Sequence, residues 1–308
     1  MTGPAIHRVR HAALSRDASR DGFIVVAVLW MLGALATLAS IYAVYVINTA
    51  TAMGVNDQRV QAEGLMTAAL ELTTYRLTAT DADNRPSRGE FAFRLGRAAV
   101  AVDFRSEAGR IDLNSAPKEL LAGLFAGLGA KYSNAEYYAE RVIGWRTAQD
   151  PDQRNEEASA YRTAGLAYGP RQGPFGHVGE LALVLGLPPF LVERALPFVT
   201  VFSGRAEINI VAAAPEVVAA VPGMTPDRLY AVLSQVGRGP QNAQFLQRLV
   251  GDQSGITIEA GKTARVAVRM DFDIGHRVRG EAVILLGTNE AGEPFRVLSW
   301  RDDFDGPT

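Results

Sequence analysis

The sequence predicts an α+β protein. One long N-terminal helix spans a membrane and then packs on an antiparallel sheet, and a large all-α domain is inserted into that sheet. Three observations carry this expectation. No charged residue occurs from Phe23 to Ile47, a run of 25 residues. Segments of alternating polarity stand both before residue 109 and after residue 256, as strands with one buried face require. Between them a strand-to-helix segment occurs twice, at 111–121 and again at 208–218.

Composition narrows the functional classes. Hydrophobic residues are 48% and charged residues 21% of 308, which excludes bulk disorder. Lys and Arg number 31 against 33 Asp and Glu, so the basic excess of a general nucleic-acid binder is missing. The absence of cysteine removes disulfides, thiolate metal sites and thiol catalysis together. The near-neutral mean hydropathy of +0.03 averages a lipid-soluble anchor with a polar remainder.

Residues 1–22 read as a leader. Arg8, Arg10, Arg16 and Arg20 stand there against Asp17 and Asp21, and basic residues before a span keep that end cytoplasmic. As a helix, 23–47 is ~38 Å long, enough to cross a hydrocarbon core with some tilt. Trp30, Tyr42 and Tyr45 are its amphipathic rings, the tyrosines near the outer end. A cleaved secretory signal would have a shorter apolar region. No proline falls between Pro4 and Pro86, and Val55, Ala62, Leu65, Ala69 and Leu72 recur at helical steps. One helix is therefore expected from about Phe23 to about Thr78, within a segment 23–80, closed by the turn-forming Asp81–Gly89.

Segment 81–108 carries two expected strands, Phe91–Leu95 and Ala98–Arg105, around Gly96-Arg97. The inserted helical domain is placed at 109–200. It opens with Ile111-Asp112-Leu113-Asn114-Ser115-Ala116-Pro117, where Asn114 or Ser115 is expected to cap the following helix. Segment 201–308 begins with the second copy, Ile208-Asn209-Ile210-Val211-Ala212-Ala213-Ala214-Pro215, which aligns without a gap and shares Glu216 with Glu119. Two short helices, Pro226–Val236 and Asn242–Val250, follow. The tail reads as strands at Ile256–Glu259, Ala264–Phe272, Arg279–Gly287 and Phe295–Trp300, with a turn at Thr288–Gly292.

The N-terminal junction resembles that of the type IV prepilin-like proteins: Asp21-Gly22-Phe23 joins a basic leader to a helix opened by Phe. The resemblance implies cleavage by the prepilin peptidase after Gly22 and methylation of the new amine of Phe23. Members of that group usually carry a glutamate at the fifth position of the mature helix, where this chain has Ala27. An unpaired carboxylate in lipid is costly. An apolar residue there resembles the minor pseudopilin K family of type II secretion. Leu113-Asn114-Ser115-Ala116-Pro117 resembles the family's "LN-T/S-A-P" segment. Phe175 through Gly186, with Val178, Glu180, Leu181 and Val184, resembles its "F-x-x-V-x-E-L-x-x-V-x-G" stretch, and Leu196–Val201 the return into a pilin-type sheet.

What this resemblance implies is a non-enzymatic subunit at the tip of a short pseudopilus. It would be single-pass in the bacterial inner membrane, with the leader cytoplasmic and the C-terminal domain periplasmic. It would assemble with the minor pseudopilins I and J and support protein export. The family is also known for calcium in its helical domain. Here Asp150, Asp152, Glu156 and Glu157 follow Trp145 and offer the oxygen ligands a hard cation takes. Thr147 and Gln149 stand where the family often has acids, and a loop of this composition also reads as simply solvated.

Other chemistry is thin. Beyond the leader only His177 and His276 remain for a Ser-His-Asp arrangement, with no GxSxG nearby. Gly261-Lys262-Thr263 lacks the spacing and the helix of a phosphate loop. The alternative class is a membrane-anchored helix–hairpin–helix DNA binder of an uptake system, suggested by Gly127-Leu128-Gly129 and Val221-Pro222-Gly223. Glu119, Glu136 and Glu140 oppose Lys118 and Lys131 there, so no nucleic-acid partner is expected.

Overall fold

The structure is a computed structural model and describes residues 18–81, 84–149, 156–236, 255–273, 276–287 and 292–303. The chain divides into two compact units, Met1–Val60 and Gln61–Thr308. In chain order the elements are α1 (Ala18–Thr78), β1 (Arg88–Leu95), β2 (Ala98–Ser106), β3 (Ile111–Asp112), α2 (Lys118–Gly127), α3 (Tyr132–Arg146), α4 (Glu156–Thr163) and α5 (Pro189–Ala195). There follow β4 (Val199–Thr200), β5 (Ile208–Asn209), α6 (Pro215–Ala219), α7 (Pro226–Gln235), β6 (Ile256–Thr257), β7 (Thr263–Phe272), β8 (Arg277–Leu286) and β9 (Phe295–Asp302). The class is α+β.

In the first unit α1 is apolar over the 27 residues Phe23–Thr49, and none of that stretch is buried. Its hydroxyls are satisfied within the helix. Thr37 Oγ1 donates to the carbonyl of Gly33, Ser40 Oγ to that of Ala36 and Thr49 Oγ1 to that of Tyr45, each at 2.8 Å. In lipid, where no water offers an alternative, such bonds hide the polar atoms.

In the second unit the end of α1 covers one face of the sheet. Ala62, Leu65, Met66, Ala69, Leu70 and Leu77 are buried at three- and four-residue steps against Val100, Val102, Val266, Val268, Met270 and Ile284. Each fully buried large aliphatic chain contributes about 1.5–3 kcal/mol. Leu72, expected on this stripe, is only half-buried, because Thr73 and Thr74 take the inward positions. The side chain of Val55 lies outside those described.

The sheet has the order β1-β2-β7-β8-β9 and every neighbour is antiparallel. The β2–β7 register runs from Ala98↔Phe272 to Ser106↔Ala264. Everything from Glu107 to Lys262 is therefore an insertion between two hydrogen-bonded neighbours. The burial of β2 alternates along its whole length, which is the period-2 pattern read from the sequence.

Three expectations change. The segment Ile256–Glu259 does not join the main sheet. Its strand β6 pairs in parallel with β5 and closes the second repeat, as β4 pairs in parallel with β3 and closes the first. Neither Asn114 nor Ser115 caps α2, whose N-cap position is Pro117 with no side-chain bond. Finally, the helical core does not stop at residue 200. Ile208, Val217, Ala220 and Val221 belong to the same buried cluster as Leu120, Leu121, Leu124, Phe125, Trp145 and Leu191. The contact is close: a Cβ at Gly123 of α2 would lie 2.2 Å from the carbonyl oxygen of Ala220. The second repeat thus packs as part of the insert. Residues 1–17 of the expected leader 1–22, the helix Asn242–Val250, Asp150 and Asp152, and most of the turn Thr288–Gly292 fall outside the described residues.

Candidate functional site: the motif network of the insert

The turn after β3 is built on Asp112, which is buried. Its Oδ1 accepts from the Asn114 amide at 2.7 Å, and its Oδ2 from Ser203 Oγ at 3.0 Å and the Gly204 amide at 2.8 Å. The bend frees Asn114 for a different task. Asn114 Nδ2 donates to the Phe175 carbonyl at 3.1 Å, and Asn114 Oδ1 accepts from the Phe175 amide at 2.6 Å. This two-point lock joins segments 61 residues apart. Arg146, at the end of α3, donates to the carbonyls of Leu113 and Ala116, the latter at 2.7 Å. Burial lowers its pKa, and the nearby Asp112 opposes that shift.

Trp145 extends the network. Its ring lies 6.1 Å from Tyr161 and 6.0 Å from Phe175. Its Nε1 donates to Glu180 Oε2 at 3.2 Å, while Glu180 Oε1 accepts from the Gly176 amide and Arg171 Nη1, each at 3.0 Å. Tyr161 accepts from the Leu185 amide at 2.8 Å and is otherwise enclosed, so burial pushes its phenol up to about 12. Asn114, Trp145, Phe175 and Glu180, read separately in the sequence, form one connected set. Its chemistry is structural: every polar atom in these contacts is spent on a protein partner.

Of the proposed metal ligands, Asp150 and Asp152 lie outside the described residues, while Glu156 and Glu157 open α4. Glu157 faces α3. Its Oε2 lies 2.9 Å from Arg141 Nη1, and its Oε1 is buried with no hydrogen-bond partner among the described residues. A Cβ at Gly144 would meet this carboxylate at 2.8 Å, so the glycine makes room for it. Burial raises the Glu157 pKa, and Arg141 offsets part of the shift. An orphaned carboxylate oxygen is what a hard cation would take, although Arg141 already neutralises the partner oxygen.

The glycine turn between α2 and α3 spends its amides internally. Leu128 donates to the Leu124 carbonyl, Gly129 to Ala126 and Ala130 to Phe125, at 2.9, 3.1 and 3.0 Å. Lys118 is paired with Glu140. The donors that would cradle a phosphate are thus already engaged. At the other end of the chain, the α1 backbone is helical through Gly22 and Phe23, and the Phe23 ring is exposed.

Residues 102–204 match the family model for protein K of the type II secretion system. Over that stretch, about a third of its length, the chain is similar to that family. The matched stretch holds the whole motif network described above, from Asp112 through Glu180. Among solved structures, the chain resembles one in "The Crystal Structure of the GspK-GspI-GspJ complex from enterotoxigenic Escherichia coli Type 2 Secretion System". The identity is 17% and the TM-score 0.53, over 79% of this chain and 95% of that one. At that identity the likeness establishes a shared fold. No curated protein matches the chain.

Two further groups, Asp112 and Glu107, hold the insert in place. Asp112 was legible only as the polar partner of Asn209 in the repeat alignment. Glu107, fully buried, binds Arg265 Nε through Oε1 at 2.6 Å and the Thr200 hydroxyl through Oε2. No spacing in the sequence links these residues, which come from three distant segments.

Proposed function

We propose that this chain is the non-enzymatic minor pseudopilin at the tip of a type II secretion pseudopilus, where it starts assembly and supports export across the outer membrane. The observation that carries this reading is the insertion of the whole segment Glu107–Lys262 between the neighbouring strands β2 and β7. A pilin-type sheet burdened with that bulk suits a subunit with nothing stacked above it. Ala27 agrees with the tip position, since a glutamate there would lack an amine to pair with.

In this reading the prepilin peptidase cuts after Gly22 and Phe23 is methylated. The helix Phe23–Thr49 anchors the chain in the bacterial inner membrane, with the basic leader in the cytoplasm and residues beyond the span in the periplasm. The minor pseudopilins I and J are its partners, by analogy with the complex named for the structural relative. Their helices would meet along Gly33, Ala34, Ala36, Ala39 and Ser40, whose small side chains permit close approach in lipid. Calcium belongs to the same reading. Glu157, with Glu156, Asp150 and Asp152, would hold it, and it would neutralise the acidic segment that follows α3.

The deciding experiment is co-expression of the full chain with the I and J pseudopilins of the same system, then detergent extraction and affinity purification. Both partners should copurify in fixed ratio. A folded chain that retains neither would overturn the reading.

A further inference from the structure

The sheet and the adjoining edge of the insert enclose a cavity of about 340 Å³. Arg110, Arg265 and Arg301 line it, with Glu281 as the one carboxylate on its wall and Leu196 and Phe202 among its apolar surfaces. Glu107 lies behind Arg265, and both of its oxygens are taken. Glu281 Oε1 accepts from Arg265 Nη1 at 2.5 Å and lies 3.5 Å from Arg301 Nη2. Arg265 is therefore matched on two sides. Arg301 has one long contact and a side chain 70% exposed.

Arg110 has none. It is half-buried, and among the described residues no side-chain hydrogen bond or ion pair joins it; Glu107 and Glu281 act on it only at longer range. Burial first, and then the charge of Arg265, lower its pKa from the ordinary value, while Glu107 and Glu281 oppose the shift. A guanidinium keeps its proton at any ordinary pH, so the charge stays, and the two carboxylates that act on it are already bound to Arg265. Among the described residues at the cavity, three arginines stand against Glu281 and Glu107, an excess of one positive charge. His177 also borders the space. Its Nδ1 accepts from the Gly179 amide at 3.0 Å, which leaves Nε2 as the ring's remaining polar atom.

We propose that this cavity is a carboxylate-binding site, with Arg110 and Arg301 as its charged contacts. The excess of one charge matches a monoanion, and the partly apolar wall suits the carbon chain that bears it. A phosphate dianion would need a second uncompensated cation and a wetter wall. Guanidinium–carboxylate pairing is the strong, often two-bonded contact that such a geometry offers. The carboxylate could belong to a small free acid or to an acidic side chain of a protein. The site is independent of the pseudopilus reading, since it rests on this chain alone.

The test uses the full chain in detergent and two probes: sodium butyrate, and an end-blocked pentapeptide whose only charge is a central glutamate. Melting temperature is followed against sodium chloride at equal ionic strength. A saturable rise with butyrate supports the site and points to any small carboxylate; a rise with the peptide alone supports it and points to a protein side chain. Arg110→Gln should weaken binding about tenfold, the loss of one charged hydrogen bond, while Arg110→Lys keeps most of it. Without probe, Arg110→Gln should melt no lower than the parent, because a half-buried charge that no ion pair joins among the described residues is gone. Should that variant melt lower, Arg301→Gln on the exposed rim carries the test, with a similar weakening expected. Absence of any saturable rise with both probes, or full binding in the variant used, overturns the proposal.

Discussion

Asp112 and Asn209 hold the same station in two copies of one small unit. Each ends a two-residue parallel strand, and each side-chain oxygen accepts from the amide two residues on, Asn114 at 2.7 Å and Val211 at 2.9 Å. Their second atoms differ because their neighbours differ. Asp112 Oδ2 meets two donors, Ser203 Oγ and the Gly204 amide. Asn209 Nδ2 meets three acceptors: Ser87 Oγ at 2.7 Å and the carbonyls of Ile258 and Glu259 at 3.1 and 2.7 Å. The acid stands among donors and the amide among acceptors.

Exchanging them should therefore be costly at both places. Asp112→Asn turns an NH₂ toward donors, and Asn209→Asp turns a carboxylate toward carbonyls. Each should lose about 1–3 kcal/mol, with Asn209→Asp partly relieved at low pH as the acid protonates. Denaturant unfolding of the detergent-solubilised chain, at neutral and acid pH, measures both. An unchanged midpoint in either would refute the assignment.

Gly123→Ala should destabilise the insert. Its added methyl would sit 2.2 Å from the backbone oxygen of Ala220, which no rotamer can relieve. Overpacking of this kind costs about 1–3 kcal/mol. Gly127→Ala, with nothing within 4 Å of the added carbon, is the matched control and should be near neutral. Equal melting temperatures for the two variants would sink the claim that the second repeat packs on α2.

Glu157 should leave a mark on stability against pH. Burial raises its folded pKa above the ordinary 4.5, so the folded state binds the proton more tightly than the unfolded one. Its contribution therefore grows as pH falls through the raised folded value and is complete below 4.5. With calcium chelated, the melting temperature of the parent relative to Glu157→Gln should rise across that window. Saturating Ca²⁺ should stabilise the parent at neutral pH and flatten the effect, because a bound cation favours the charged form. No heat on calorimetric titration with Ca²⁺, and no shift in melting, would remove calcium from the proposed function.

Gly22→Val should block maturation in cells that carry the peptidase. Intact mass of the purified chain reads this directly: the parent should begin at methylated Phe23 and the variant should retain its leader. Cleavage of the variant at the same bond would refute the site.

Much of this molecule was legible before its structure. The long apolar helix is visible because a span in lipid tolerates no charge over ~20 residues, and Phe23–Thr49 meets that demand in consecutive positions. The strands flanking the insert follow from period-2 burial in β2 and β7. Asn114, Trp145, Phe175 and Glu180 could be picked out as motifs, but not as one network, because the bonds joining them cross 35 to 61 residues. Asn114 was misread as a helix cap for the same reason: locally it is a good one, and its distant lock with Phe175 takes the side chain away.

Local sequence pointed to the long apolar helix, the strands of the main sheet and the repeated strand-to-helix segment, since hydrophobic periodicity and charge act over neighbouring residues. Folding in three dimensions settled the rest. It decided that Ile256–Thr257 pairs with β5 and not with the main sheet, and that the second repeat shares the core of the first. It also decided that Glu107 meets Arg265, and that Arg110 lies half-buried beside a cavity with no direct ion-pair partner among the described residues. Pairing, burial and charge balance depend on which distant side chains arrive at one place. No pattern in neighbouring residues encodes that arrival.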